Sequence, residues 1–384
     1  MPSSTGNRAG NTSEVVVIGA GIVGAAIAYE LVQRGVSVTV LEARGVGLGS
    51  TQASAGMLVP YIEGVRRGPM LDLAVASLAM YDEFVERVTR DSGVAVTYQR
   101  TGSLEVATED ESAEQLKATA SSLTAAGVAC TLLDRQQARE AEPQLALDVI
   151  AGLLVPGHGF VVASDLSGAV TAAAIKHGAN LRVPARVRRI SIEDKSIDGR
   201  SIRVDLENDT LTARQVVIAA GSWSGQLDLP GIPPLPVRPV RGQLLQLAWS
   251  GPPLARVTWG SRCYLVPVSP EALLVGATVE EAGFDERATV AGVRDLLDAA
   301  CDLIPHTWQA TFGGARVGLR PGTPDELPII GRSRKLPGVI YATGHYRNGV
   351  LLAPLTAKLV TELIIADRED PMLKATSPQR FGEY

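Results

Sequence analysis

The most strongly patterned stretch of the chain is a β-α-β unit near its start. An apolar, β-branched run at residues 15–18 ends in glycine, residues 22–34 have helical spacing, and residues 37–41 predict a second strand. Apolar runs of the kind found in buried strands recur at 216–220 and 339–343. We therefore predict a parallel sheet assembled from segments that lie far apart in the sequence.

The rest of the chain divides into helices and one region of different character. Residues 230–279 alternate short strands with turns rich in proline and glycine, a pattern typical of an antiparallel sheet. The other predicted elements, in chain order, are a helix at 71–90, a strand at 104–107, helices at 109–126 and 164–177, strand material at 187–204 and a helix at 349–365. The predicted fold class is α/β, with a mostly antiparallel domain inserted into a discontinuous parallel-sheet domain.

Composition and charge narrow the possible classes of function. Apolar residues make up 46% and charged residues 20% of the 384 residues, as in globular proteins, and a net charge of −5 argues against nucleic-acid binding. Cys130, Cys263 and Cys301 lie far apart, which indicates neither a disulfide framework nor a metal site and fits a reducing cytoplasm. The longest apolar run, residues 15–29, is too short for a membrane span, so we expect none.

Three glycines between the first strand and the first helix form a GxGxxG motif. Gly19 permits a tight turn, Gly21 lets the backbone approach a pyrophosphate, and Gly24 lets the helix and strand pack closely. The helix N-terminus then faces the phosphates, and Glu42, after the second strand, is placed to bind the adenosine ribose. The motif predicts a dinucleotide site but does not by itself distinguish NAD from FAD.

Features outside this motif favour the longer cofactor. The loop at 49–57 is small, polar and rich in glycine, so it can lie along a cofactor and supply backbone donors and hydroxyl groups. Two further predicted strands end in glycine, at Gly221 and Gly344. Because the ends of parallel strands meet at one ligand crevice, both turns are expected to border the same cofactor.

Together with the opening unit and the 49–57 loop, three motifs match a known pattern. They are Ala220-Gly221-Ser222-Trp223, Val317-Gly318-Leu319-Arg320-Pro321-Gly322-Thr323 and Gly344-His345-Tyr346-Arg347-Asn348-Gly349. With these the chain resembles, from about residue 15 to 365, the D-amino-acid oxidase superfamily, and within it the glycine oxidase family of thiamine biosynthesis. The resemblance implies non-covalent FAD and a Rossmann-type FAD-binding domain. It also implies hydride transfer from the substrate α-carbon to flavin N5, giving an oxo acid, ammonia and hydrogen peroxide.

The resemblance also implies the extent of the two domains and the residues that contact the cofactor. The FAD-binding domain covers 14–90, 150–229 and 313–370, the substrate domain covers 91–149 and 230–312, and residues 1–13 form a flexible tail. The expected cofactor contacts are Gly19, Gly21, Ile22, Val23, Gly24, Glu42, Ala43, Ser50, Thr51, Ala55, Gly56, Met57, Val187, Gly221, Trp223, His345, Tyr346, Arg347, Asn348, Gly349, Val350 and Leu351. His345 is expected to act through its backbone rather than in acid–base chemistry.

Five residues are expected to border the substrate. Arg320 matches the family position that binds the substrate carboxylate, Tyr264 the pocket tyrosine, and Arg347 the arginine between flavin and substrate. Two positions depart from the glycine oxidase pattern. Arg262 stands in place of a histidine and Val279 in place of a methionine, so we expect the pocket to differ in charge and volume from that pattern.

Several alternatives remain open at this point. Another enzyme of the superfamily is possible, either a D-amino-acid dehydrogenase that reduces a quinone or a sarcosine-type oxidase. A rival of a different class is a flavin-binding partner protein without turnover of its own. Oxygen is the expected electron acceptor, and the resemblance points to a homotetramer.

Overall fold

The computed structural model describes residues 12–62, 68–193 and 201–384. Its strands are β1 (Thr12–Ile18), β2 (Val38–Leu41), β3 (Met57–Leu58), β4 (Tyr98–Gln99), β5 (Ser103–Ala107), β6 (Thr131–Asp134), β7 (Ala151–Val155), β8 (Gly159–Val161), β9 (Asn180–Arg182), β10 (Val187–Glu193), β11 (Ser201–Leu206), β12 (Thr210–Ile218), β13 (Arg238–Ala248), β14 (Val257–Trp259), β15 (Tyr264–Ser269), β16 (Ala272–Gly276), β17 (Thr311–Gly322), β18 (Ile329–Arg332) and β19 (Val339–Thr343). Its helices are α1 (Ile22–Gln33), α2 (Pro69–Leu78), α3 (Tyr81–Ser92), α4 (Asp110–Ala125), α5 (Arg135–Ala141), α6 (Ala163–Lys176), α7 (Val290–Leu303), α8 (Gly349–Ala366) and α9 (Leu373–Thr376).

The first sheet has a parallel centre built from distant parts of the chain. Strands β9, β2, β1, β12 and β19 are parallel neighbours in that order, and β11 pairs antiparallel with β12. Val15 and Val17 of β1 are buried against the helices, whereas Val16 and Ile18 are buried on the opposite face. Burial on both faces explains why this strand is continuously apolar.

The second sheet is almost wholly antiparallel. Its strand order is β17-β13-β16-β15-β14-β5-β7-β6, and only the β14–β5 pair is parallel. Helix α7 packs against this sheet in a core that includes Leu245, Leu265 and Leu296. Two strands of the second sheet, β7 and β17, lie in segments that the sequence analysis assigns to the cofactor domain, 150–229 and 313–370. The sheet therefore does not follow the predicted domain boundaries at these two places.

The helical layer beside the first sheet is formed around α1. Helix α1 packs against α6 and α8, and α2 packs against α8. By length and mean hydropathy (1.7), α8 alone among the described helices is apolar enough to cross a membrane. In this structure 67% of that apolar stretch is buried inside the protein.

The prediction of one helix over 71–90 is wrong, because α2 ends at Leu78 and α3 begins at Tyr81. Two hydroxyl groups, one on either side of this break, reach the start of α8. Pro354 lacks an N–H group and therefore cannot donate to the Val350 carbonyl one turn earlier. The Tyr81 hydroxyl donates to this carbonyl at 2.6 Å, and the Ser77 hydroxyl donates to the next carbonyl, that of Leu351.

The bounds of two further predicted segments differ in the structure. The predicted tail lies mostly outside the described residues, but Thr12 and Ser13 belong to β1, where the Ser13 and Thr39 hydroxyl groups are 2.6 Å apart. The predicted strand material at 187–204 is two antiparallel strands, β10 and β11, and residues 194–200 between them lie outside the described residues.

Candidate active site

The GxGxxG turn lies at the N-terminus of α1, where the structure brings β1 and the 49–57 loop together. The Ile22 N–H donates to Thr51 Oγ1 at 3.2 Å, so the loop is held against the first turn of the helix. A Cβ atom on Gly24 would lie 2.0 Å from the Gly19 carbonyl oxygen. The third glycine therefore permits the close packing of helix on strand that the motif predicts.

Glu42 borders the cavity beside this turn. Its Oε2 accepts from the Ala20 N–H at 2.8 Å, and its Oε1 accepts from the Arg44 N–H at 2.8 Å. These bonds fix the carboxylate at the end of β2. Its role as a ribose ligand remains a prediction that this position supports.

A first cavity of about 220 Å³ extends from the α1 N-terminus across the ends of the parallel strands. Of the predicted cofactor residues, the following line it: Gly19, Gly21, Ile22, Val23, Glu42, Ala43, Ser50, Thr51, Val187, Gly221, Trp223, His345, Tyr346 and Gly349. The sequence analysis missed Arg44, which also lines this cavity. Its guanidinium lies 4.5 Å from the Trp223 ring centroid and pairs with Glu286 at 2.6 Å. Arg44 lies two residues after Glu42 in the sequence, and its closeness to this predicted cofactor residue could have identified it.

A second cavity of about 760 Å³ lies between the two sheets. It shares Ile22, Ser50, Thr51, Tyr346 and Gly349 with the first cavity, so the two are adjacent. The other predicted residues that line it are Ala55, Gly56, Met57, Arg262, Tyr264, Val279, Arg320, Arg347, Asn348, Val350 and Leu351. Of all the predicted site residues, only Gly24 lines neither cavity, because it lies under the turn.

Arg320 reaches the second cavity from β17, the strand at the edge of the antiparallel sheet. Its Nη1 donates to the Thr278 carbonyl at 2.9 Å and approaches the Arg241 carbonyl at 3.3 Å. Gly242 faces the guanidinium, where a Cβ atom would lie 2.3 Å from Nη1. The guanidinium is thus held in a fixed orientation by backbone groups of neighbouring segments.

Tyr264 starts β15 and lies over Gly276 of the adjacent strand. The two residues are register partners, and a Cβ atom on Gly276 would lie 2.3 Å from the Tyr264 hydroxyl. Trp259 packs against the tyrosine ring with a centroid separation of 4.9 Å, and it lines the same cavity. The sequence analysis missed Trp259, which no motif marked.

The start of α8 also lines the second cavity. The Tyr346 N–H donates to the Pro321 carbonyl at 3.0 Å, which ties the turn before α8 to the end of β17. His345 is buried and its Nε2 lies 3.0 Å from the Thr356 hydroxyl. Burial lowers the pKa of His345 to about 4, so its imidazole is neutral near pH 7. This agrees with a structural rather than an acid–base role for the side chain.

The two positions that depart from the glycine oxidase pattern lie at the margin of the second cavity. Val279 is 51% exposed, so it contributes to the rim more than to the depth of the cavity. The Arg262 guanidinium pairs with Asp302 at 2.8 Å, and its side chain is 55% exposed. An exposed ion pair of this kind reduces the positive charge that Arg262 presents to the cavity.

The residues around the two cavities fit a bound dinucleotide. Within the described ranges, neither α1 nor α8 has a capping hydrogen bond from the side chain of its N-cap residue or an acidic residue in its first turn. Both helix N-termini border the cavities and therefore favour negatively charged groups there. In the same ranges no group of three or more His, Cys, Asp or Glu side chains is arranged to hold a metal ion.

Comparison with known proteins identifies the family. A family model described as FAD dependent oxidoreductase matches residues 14–363. The chain belongs to this family. The predicted resemblance to the D-amino-acid oxidase superfamily is confirmed, as are the α/β fold, the enzyme class and FAD as the cofactor.

Individual relatives in the family match nearly the whole chain. The glycine oxidase of Geobacillus kaustophilus is 34% identical over 353 residues, which cover 91% of this chain and 92% of that protein. Its crystal structure matches with a TM-score of 0.91 and covers 96% of this chain and 99% of that one. The bifunctional protein ThiO/ThiG of Synechocystis is 37% identical over 377 residues, covering 96% of this chain. The chain spans only 54% of the length of that bifunctional relative.

Proposed function

We propose that this FAD-dependent oxidoreductase oxidises glycine and other small amines that carry a carboxylate. The observation that carries the proposal is the second cavity, which is lined by Arg320, by Tyr264 and by the start of α8. A guanidinium and a phenol suit a carboxylate, since both can donate hydrogen bonds to it. The similarity to glycine oxidases over most of their length supports the same substrate class.

Arg320 and Tyr264 have the role of binding and orienting the substrate. Two backbone carbonyl groups hold Arg320 Nη1, so the guanidinium is oriented before the substrate arrives. Gly276 leaves the space that the Tyr264 hydroxyl occupies. When Arg320 and Tyr264 hold the substrate carboxylate, the amine-bearing carbon of a small substrate is directed into the cavity.

Residues 345–351 form the wall that faces the cofactor in this proposal. Bound FAD supplies the acceptor for the hydride of the amine-bearing carbon and is reoxidised by dioxygen. The N-terminus of α8 favours negative charge at the adjacent cofactor ring. Arg347, whose guanidinium lies 5.3 Å from the Tyr346 ring centroid, adds positive charge to this wall.

The chemistry requires no general base if the amine binds in its neutral form. Burial lowers the pKa of His345, which lines the first cavity, to about 4, so its side chain is a weak base. Cofactor attachment without a covalent bond is also part of the proposal. Burial raises the pKa of the Cys263 thiol, which lines the second cavity, to about 12, and a protonated thiol is a poor nucleophile.

The pathway, the cellular location and the oligomeric state of the enzyme are also part of the proposal. We assign the oxidation to thiamine biosynthesis, and the similar half of the bifunctional ThiO/ThiG protein supports a role beside a second enzyme. The free cysteines Cys130, Cys263 and Cys301 support a reducing, cytoplasmic location. Light scattering of the purified protein measures whether it forms the homotetramer that the resemblance implies.

Two experiments test the proposed function. Anaerobic glycine should bleach the visible absorbance of the bound flavin, and air should restore it with release of hydrogen peroxide. Bleaching that only a quinone reverses would favour the dehydrogenase alternative, and absence of bleaching by glycine, sarcosine, D-alanine and D-aspartate would favour a non-catalytic flavoprotein.

Arg320→Ala tests the carboxylate site directly. Loss of the partly buried charge partner should weaken transition-state binding by about 2–5 kcal/mol, while FAD content stays unchanged. The matched control is Arg294→Ala, whose exposed side chain pairs with Asp298 within α7. A decrease in kcat/KM of less than about tenfold, or 1.4 kcal/mol, would contradict the role of Arg320.

A further inference from the structure

A polar network lies directly behind Arg320, outside the lining of the second cavity. The two carbonyl groups that hold Arg320 Nη1 belong to Thr278 and Arg241. These residues lie on different segments, one after β16 and one on β13. The orientation of the guanidinium therefore depends on what keeps the two segments together.

The carboxylate of Glu280 joins these segments. Its Oε1 accepts from the Thr278 hydroxyl at 2.6 Å and from Gln243 Nε2 at 2.7 Å. Its Oε2 accepts from Arg241 Nη2 at 2.5 Å and from Nε at 3.2 Å. One carboxylate thus contacts the side chains of both residues whose carbonyl groups bind Arg320.

The backbone of Glu280 reinforces the same connection. The Glu280 N–H donates to the Arg241 carbonyl at 3.0 Å, and the Arg241 N–H donates to the Glu280 carbonyl at 2.8 Å. The Arg241 side chain is only 8% exposed, so its charge needs a nearby counter-charge. Burial alone would raise the pKa of Glu280, but the hydrogen bonds from Thr278, Arg241 and Gln243 outweigh it and lower the pKa.

We propose that Glu280 is a positioning residue for Arg320, acting through the Thr278 and Arg241 carbonyl groups without touching the substrate. The inference rests on the proposed function, in which Arg320 binds the substrate carboxylate. Loss of the Glu280 charge leaves Arg241 with Asp285, 3.2 Å from its Nη1, as the remaining carboxylate partner. It weakens the contacts of Glu280 with the Thr278 and Arg241 side chains and so loosens the two carbonyl groups. The Arg320 guanidinium then loses its fixed orientation, and carboxylate binding weakens.

The test measures carboxylate binding to the holoenzyme with glycolate, which carries a carboxylate but no amine. Its Kd is read from the change in the flavin absorbance spectrum. Glu280→Gln should raise this Kd about tenfold, within the range of coupling between groups in one hydrogen-bond network. The KM for glycine should rise with it, while kcat changes less. The control is Glu281→Gln, the next residue, whose exposed side chain pairs with Arg238.

A double-mutant cycle with Arg320→Ala separates positioning from a general structural role. If Glu280 acts through Arg320, adding Glu280→Gln to Arg320→Ala should not weaken glycolate binding further. An equal loss in both backgrounds, or no loss in Glu280→Gln alone, overturns the proposal. If Arg320→Ala itself leaves the glycolate Kd unchanged, the proposed carboxylate site fails, and the positioning role fails with it.

Thr278→Val provides a second variant that keeps the backbone carbonyl and nearly the same volume. It removes the hydroxyl that donates to Glu280 and accepts from the Gln243 N–H at 2.9 Å. A smaller increase in the glycolate Kd, again absent in the Arg320→Ala background, supports the proposal. An unchanged Kd contradicts it, and this outcome stands even if Glu280→Gln does not fold.

Discussion

The hydroxyl of Tyr81 completes the hydrogen bonding of α8, and its removal should lower the free energy of unfolding. Pro354 leaves the Val350 carbonyl without a donor inside the helix, and the Tyr81 hydroxyl supplies one at 2.6 Å. The Tyr81 side chain is fully buried, so no water replaces the hydroxyl in Tyr81→Phe. Burial also raises the pKa of Tyr81 well above its usual value, so the group remains a donor at any pH of interest.

The size of the effect follows from the unsatisfied carbonyl. A buried acceptor without a partner costs about 1–3 kcal/mol. Because 1 kcal/mol shifts Tm by about 2–4 °C in domains of roughly 150–250 residues, Tyr81→Phe should lower Tm by several degrees. Val350 lies in the first turn of α8, which borders both cavities, so the variant should also release FAD more readily on dilution.

The assay is thermal unfolding of the holoprotein followed by circular dichroism. The matched control is Tyr98→Phe, in which the lost hydroxyl donates to Asp82 Oδ1 at 2.5 Å near the surface. That variant should cost less than about 1 kcal/mol, because water can replace the lost bond. Equal decreases in Tm for the two variants would refute the argument that the Tyr81 hydroxyl repairs the helix.

Two further predictions concern the substrate and the pH dependence. Val279→Met should change the ratio of kcat/KM for glycine to kcat/KM for D-alanine several-fold in favour of glycine. The expected size follows from the contribution of one buried methylene, about 0.8 kcal/mol. An unchanged ratio would show that Val279 does not contact the substrate. Burial, with a smaller effect from Arg100, lowers the pKa of His158 to about 3. Between pH values of about 6.5 and 3 the unfolded chain therefore binds a proton that the folded protein does not, and stability falls as the pH falls. His158→Asn should show a smaller decrease in Tm between pH 7 and 5, and an identical decrease would contradict this assignment.

Local patterns were sufficient to predict the cofactor half of the site. The GxGxxG turn and Glu42 depend on a single β-α-β unit, and each glycine has a role that its neighbours in sequence reveal. The strand ends at Gly221 and Gly344 were predicted to meet because parallel strands share one edge. Both border the predicted crevice, Gly221 in the lining of the first cavity and Gly344 next to His345, which also lines it.

Contacts between distant segments could not be predicted in this way. The pairing of β17 with β13 is set by the antiparallel sheet as a whole, and no periodicity within β17 identifies its partner. The contacts of Ser77 and Tyr81 with carbonyl groups of α8 join segments that are remote in sequence. Glu280 matched no motif, because its importance lies in contacts with Arg241 and Gln243 on another strand.

The order of strands in the first sheet has a consequence for synthesis of the protein. Strand β1 is made before β12, its neighbour on one side, and β12 is made before its own neighbour β19. Helix α8, which covers α1, is made later still. During translation the apolar surfaces of β1 and α1 that β12 and α8 cover therefore lack these two partners until the later segments have emerged. We expect the nascent chain to need protection from aggregation, and FAD to be captured only after α8 has emerged from the ribosome.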